Sequence, residues 1–148
     1  MANLDDVEHL AAGDSYLAVF TVARPNGRVQ ASVVNAGVVA DPVNGAPGVA
    51  AVVGGGTRKL ELLRRVGQAT LVFKTGWQWV AVSGPVRLVG PEDGTELGLH
   101  VPSLIRSVFQ AAGGTHEDWE TFDRVMAAER RCAVFVRADR ITSNSGSA

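Results

Sequence analysis

The chain has 148 residues, 46% of them apolar and 20% charged, with a formal net charge of −1. That length suits one domain with a sizeable core, and the near-neutral balance excludes a global field that would recruit nucleic acid or an anionic membrane. No apolar run approaches the roughly 20 residues of a membrane-spanning helix, and the lone cysteine, Cys132, excludes an intramolecular disulfide and fits a reducing compartment.

The opening segment, 1–14, is acidic and lacks the basic stretch and cleavage pattern of a secretory signal, so a cytoplasmic location is expected. The first strand is "SYLAVFTVA" (15–23), closed by "RPNGR", where Asn26-Gly27 can supply the positive φ values of a hairpin turn. The return strand, "VQASVVNAGVVAD" (29–41), alternates Val29, Ala31 and Val33 with Gln30, Ser32 and Val34. A Pro/Gly loop leads to a third strand, "VAAVV" (49–53), and a helix follows from Thr57 to Gly67. Next come "QATLVF" (68–73), a turn at Thr75-Gly76 and a long strand, "WQWVAVSGPVRLVG" (77–90). Ser83-Gly84-Pro85 predicts a bulge or bend within it, since proline cannot donate to a central ladder.

Two helices then interrupt the strands. "PSLIRSVFQAAGG" (102–114) places Leu104, Ile105, Val108, Phe109 and Ala112 on one face, with Gly113 able to end it in the left-handed region. "THEDWETFDRVMAAERR" (115–131) predicts a helix capped by Thr115, acidic in its first turn and finishing on Arg130 and Arg131. The last strand is "CAVFVRADRITS" (132–143), and the small polar tail, 143–148, is expected to be disordered. About six strands joined mainly by short turns predict a mainly β, α+β fold, a small antiparallel barrel in one domain.

The stretch "GGGTRKLELLRR" (54–65) poses the chemical question. Thr57 is the natural N-cap, so Arg58 and Lys59 open the helix. Free N–H groups already place about half a positive charge there, and each added cation costs roughly 0.3–1 kcal/mol at low salt. A bound anion would reverse that cost, and glycines 54–56 would let it approach the backbone. Equally, the cations can be solvated and the glycines can simply turn the chain. The P-loop pattern is absent, and G-x-G-x-x-G would need glycine where Lys59 stands.

Nucleophilic catalysis has no good candidate. Cys132 opens an apolar strand and reads as buried filler, and His9, His100 and His116 lack metal-site spacing, so no metal is expected. Trp77 and Trp79 share a strand face, suited to core or interface packing or to carrying a planar heterocycle. Gln30 and Ser32 share a face of the return strand with Asn35 just beyond, either as a solvated face or as the polar side of a ligand site.

In this order and spacing, "NGRVQASVVN", "TRKLELLRR", "GWQWVAVSGPVRLVGPED" and "GGTHEDWETFDRVMAAERR" resemble the split β-barrel flavin/deazaflavin oxidoreductases, the superfamily of pyridoxamine 5′-phosphate oxidase. The likeness covers about 15–144, and looks closest to the actinobacterial branch that uses coenzyme F420. It implies a six-stranded split barrel acting as a homodimer, with cofactor sites at the interface. It implies cofactor phosphate binding by Thr57, Arg58 and Lys59, a ring site lined by Gln30, Ser32 and Asn35, and cofactor contacts by Trp77 and Trp79. The activity implied is hydride transfer between F420 and a small or medium organic acceptor. The alternatives are an FMN-dependent oxidase or reductase, and a non-catalytic flavin or F420 carrier. The resemblance identifies no catalytic proton donor.

Overall fold

The structure is a computed structural model that describes residues 2–144; the end of the expected tail, 145–148, lies outside the described residues. The chain begins with a helix, α1 (Leu4–Gly13). Asn3 Oδ1 accepts from the Asp6 N–H at 3.1 Å and Asp6 answers on the Asn3 N–H at 2.9 Å, a reciprocal cap. Val7, Leu10 and Ala11, at helical spacing, are buried across one end of the barrel.

Strands β1 (Leu17–Ala23) and β2 (Val29–Val38) form the first hairpin. Its turn differs from the expected two-residue form: Gly27 has φ +85°, whereas Asn26 is not left-handed. The Gly27 N–H reaches the Arg24 carbonyl and the Arg24 N–H reaches Arg28, so a longer loop closed by one left-handed glycine joins the strands. β3 (Gly48–Val53), α2 (Arg58–Val66), β4 (Gln68–Thr75) and β5 (Gln78–Val89) follow, then α3 (Gly94–Leu97), α4 (Val101–Ala111), α5 (Trp119–Ala128), β6 (Cys132–Arg137) and β7 (Arg140–Ser143).

Pairing runs β1–β2–β3–β6–β5–β4 and back to β1, antiparallel throughout, which closes a six-stranded barrel. The expected final strand is broken at Ala138-Asp139. Val86–Val89 of β5 pairs with β6, and Val80–Ser83 pairs with β7. The change of neighbour falls at the expected bend, where a Cβ on Gly84 would overlap the Arg137 carbonyl. Beyond that point the Ala138 N–H turns to the Pro47 carbonyl at 2.9 Å.

Phe20, Val22, Leu71, Phe73, Val80 and Val82 fill the barrel with α1 and α2. A second cluster, including Ile105, Val108 and Phe122, packs α4 and α5 against Ala50, Ala133 and Phe135. Strands β3 and β6 are therefore buried on both faces, which is why their sequences are unbroken apolar runs.

Two helix boundaries need correction. α5 starts at Trp119 with Asp118 as its cap, not Thr115, because Asp118 Oδ1 accepts from the Thr121 N–H at 3.2 Å and Oδ2 from its hydroxyl at 2.7 Å. It ends at Ala128, so Arg130 and Arg131 follow the helix instead of completing it. Two residues of the expected disordered tail are also placed. Ser143 ends β7, and the Asn144 side chain clasps the Trp77 carbonyl at 2.7 Å and the Trp79 N–H at 3.0 Å.

Candidate functional site

Between the glycine-rich loop, β2 and the ends of α4 and α5 lies an open cavity of about 680 Å³, within the range of small-molecule sites. The three glycines that lead into it have different reasons to be glycine. Gly56 is left-handed, with φ +69°, and at Gly55 a Cβ would overlap the Arg130 carbonyl. Gly54, on the cavity wall, is constrained by neither backbone angle nor space. Two of the three thus serve the turn and its packing under α5.

Thr57 caps α2 as expected: its hydroxyl oxygen accepts from the Leu60 N–H at 3.2 Å and the hydroxyl donates to the Gly54 carbonyl at 3.1 Å. Leu60 and Leu63 anchor the helix to the core, and Gly67 ends it at φ +69°. Lys59 leaves the helix toward β2. Its ammonium donates to Ser32 Oγ at 3.0 Å and stands 5.2 Å from the centre of the Phe20 ring. Burial, then the nearby Arg131 charge, holds the Lys59 pKa below the ordinary lysine value. Among the described residues no carboxylate pairs with it.

The opposite rim is strained. Ser15 and Tyr16 have φ +56° and +59° in succession, a conformation that costs non-glycine residues free energy and tends to gather at functional sites. Asn35 Nδ2 donates to the Ser15 carbonyl at 2.9 Å, and the Tyr16 ring occupies the space where a Gly113 side chain would lie.

Of the expected site residues, Asn35, Thr57 and Lys59 border this cavity, and Ser32 reaches it through Lys59. Gln30 does not border it; its side-chain oxygen is buried without a hydrogen-bond partner. Arg58 is exposed beside it. Trp77 and Trp79 lie at the β4–β5 hairpin, away from the cavity of their own chain, and Trp77 is 94% exposed. Arg64, later in the same helix, does not border the cavity and pairs with Asp93 at 2.9 Å. Arg131 and Ser15 enter the cavity without having been expected. Arg131 arrives through backbone geometry that no side-chain pattern announces, and Ser15 through its left-handed turn.

Other chemistry is sparse. Cys132 is fully buried and desolvation pushes its thiol up to about 11. His100 caps α4, and His116 accepts the Asp118 N–H while packing near Trp119 and Phe122. Among the described residues no group of His, Cys, Asp and Glu is placed to hold a metal ion, and no helix is long and apolar enough to cross a membrane.

No protein-family model and no curated protein matches the sequence. Solved structures do match. A pyridoxamine 5′-phosphate oxidase-related, FMN-binding protein from Nostoc punctiforme aligns at TM-score 0.62 and 9% identity, over 97% of this chain and 84% of that one. The fold is the pyridoxamine 5′-phosphate oxidase-like split β-barrel. An F420 reductase aligns at TM-score 0.58 and 11% identity, over 86% of this chain and 90% of that one. The heme storage protein HutZ from Vibrio cholerae aligns at 0.57 and 10%, over 96% and 94%. The same split barrel thus serves proteins named for three different ligands, and the ligand of this one must be argued from its site.

Proposed function

We propose that this protein is a cytoplasmic oxidoreductase that uses coenzyme F420 to exchange a hydride with a small or medium organic acceptor. One observation carries the reading. The large cavity on a flavin-type barrel has Lys59 half-buried in it, no carboxylate among the described residues of its walls, and the capped start of α2 beside it. A phosphate-bearing tricyclic cofactor suits that donor set. Lys59 and Thr57 would hold the phosphate with Arg58 at the entrance, and Asn35 and Ser32 would lie toward the ring with Gln30 behind them. Bound there, such a cofactor supplies hydride-transfer chemistry, and the protein supplies position, charge and exclusion of water. FMN also presents a phosphate and a tricyclic ring and is the rival cofactor.

The reading includes a homodimer. The outer face of the barrel lacks charge across four strands. Val33 sits opposite Val19, Val19 opposite Val72, and Val72 opposite Ala81, while Ala31, Thr21, Thr70 and Ser83 form the next row. On β2 this inverts the usual pattern, with Val29 and Val33 exposed at 61% and 65% while Gln30 and Ser32 turn inward. Val33 belongs both to this face and to the cavity wall. A second copy packed here would cover the open side of the site and bring Trp77 and Trp79 to its partner.

Separate titrations with F420 and FMN, followed by fluorescence, test the reading. F420 should bind, Lys59→Ala should weaken it at least tenfold, and Arg65→Ala should change it less than twofold. Tight FMN binding without F420 binding would overturn the cofactor assignment, and bound F420 without hydride transfer to any acceptor would favour the carrier.

A further inference from the structure

The space between α4 and α5 is unevenly filled. Near the connection of the two helices, the rings of Phe109, Trp119 and Phe122 close the gap, their centres 4.8–6.2 Å apart. One step further along, Arg106 crosses it. Its Nε and Nη2 hold the two oxygens of Asp123 at 2.9 and 2.5 Å, and its guanidinium lies 5.4 Å from the centre of the Trp119 ring. At the far end the aromatic side chains give way to Pro102 and Ile105 on α4 and Met126 and Ala127 on α5. These do not fill the gap, and a cavity of about 250 Å³ remains, closed by Pro91 and Arg131. Met126 and Arg131 also border the larger cavity, so they form the partition between the two. Arg131 is set there by the turn after α5, where Arg130 is left-handed at φ +53° and the Arg131 N–H returns to the Met126 carbonyl at 2.9 Å.

We propose that this cleft is a second small-molecule site, which binds a single-ring organic carboxylate with its ring between Ile105 and Met126 and its carboxylate on Arg131. Size limits the ligand to one ring, since an apolar cavity of roughly 150 Å³ already accepts benzene. Met126 supplies an adaptable wall with a thioether suited to an aromatic face. The two charged groups on the walls decide the sign. Asp123 is committed through both oxygens to Arg106. Arg131 gives only its Nε, to Glu129 at 2.9 Å, and its two Nη groups donate to no partner among the described residues. A ligand carboxylate would take them in charge-assisted hydrogen bonds. The site stands whether F420, FMN or neither occupies the larger cavity.

Met126 reports on the site, because the chain has only two methionines. Its methyl resonance, assigned from the Met126→Leu variant, can be followed by NMR in the full chain during titration with benzoate, benzyl alcohol and acetate. Benzoate should shift it saturably, benzyl alcohol should bind about tenfold more weakly, and acetate more weakly still. Arg131→Gln should bring benzoate down to the affinity of benzyl alcohol. Ala127 is exposed, so Ala127→Phe should fold normally and, by occupying the cleft, abolish the response to both ring compounds. Lys59→Gln, in the larger cavity, should leave that response as it was. The proposal is overturned if benzoate gives no saturable shift or binds no more tightly than benzyl alcohol. It is equally overturned if the benzoate response survives Ala127→Phe or is lost with Lys59→Gln, either of which would put the ligand in the larger cavity. Should Arg131→Gln fail to fold, Ala127→Phe and the comparison of the three probes still decide.

Discussion

At Gly55 the space for a methyl group is already taken by a backbone carbonyl, that of Arg130. Backbone cannot move aside as a flexible side chain can, so Gly55→Ala should lower stability by about 1–3 kcal/mol, read from urea unfolding. Arg130→Gly should raise it by about 1 kcal/mol by removing left-handed strain, since the Glu92 ion pair that it loses is exposed on both sides. Buried Cys132 should resist alkylation by iodoacetamide at pH 8 in the folded protein and react in urea, because its thiol titrates near 11. The sequence offered Thr57 as a cap from its type and place alone. It could not show that Gly55 answers to the turn after α5, because the residue it meets, Arg130, lies some 75 positions downstream.

Among the elements, the β2–β3 loop is held by one carboxylate. Asp41 accepts from the Val43 and Asn44 N–H groups at 2.8 and 3.2 Å and from Arg87 Nε on β5 at 2.7 Å. Burial alone would raise its pKa, but the Arg87 hydrogen bond, the two backbone donors and the Arg87 charge hold it below the ordinary value. A lowered folded value means stabilisation that is complete above the unfolded pKa, about 3.9, and lost as pH falls through the folded one. Asp41→Asn should therefore cost about 1–3 kcal/mol at pH 7, with the deficit shrinking below about pH 4, as urea unfolding across that range would show. Strand identities were legible in hydrophobic period, since β3 and β6 are unbroken apolar runs and β4 alternates. The N-terminal helix was not anticipated, although Asn3 and Asp6 ahead of Val7, Leu10 and Ala11 carry its cap and its buried face. The start of α5 was misplaced because Thr115 and Asp118 are both good caps, and packing chose the second.

For the whole molecule, the uncharged outer face carries the prediction. Val33→Asp puts a carboxylate on an exposed position, so the barrel should keep its thermal midpoint within a few degrees. In sedimentation velocity the unmodified protein should run as a dimer and the variant as a monomer with weakened cofactor binding. A variant that sediments like the unmodified protein would remove the second copy from this face. That face was written in the sequence as Val29, Ala31 and Val33, yet period alone could not say which side of β2 looked inward. The answer came from Phe20 opposite Ser32, which places the serine on the barrel side.

The closure of the ring also has a consequence for biosynthesis. β3 and β5 each hold one edge for β6, where Val53 meets Cys132 and Val89 meets Ala133. While the nascent chain is shorter than this, both edges stay open, and the apolar faces meant for Ala133 and Phe135 lack their cover. At roughly 5–20 residues per second, that interval lasts several seconds during translation. Long-range pairing of this kind folds slowly as well. Ribosome-stalled chains ending before Cys132 should therefore be protease-sensitive and bound by chaperones, and chains extended past Asn144 and clear of the exit tunnel should not.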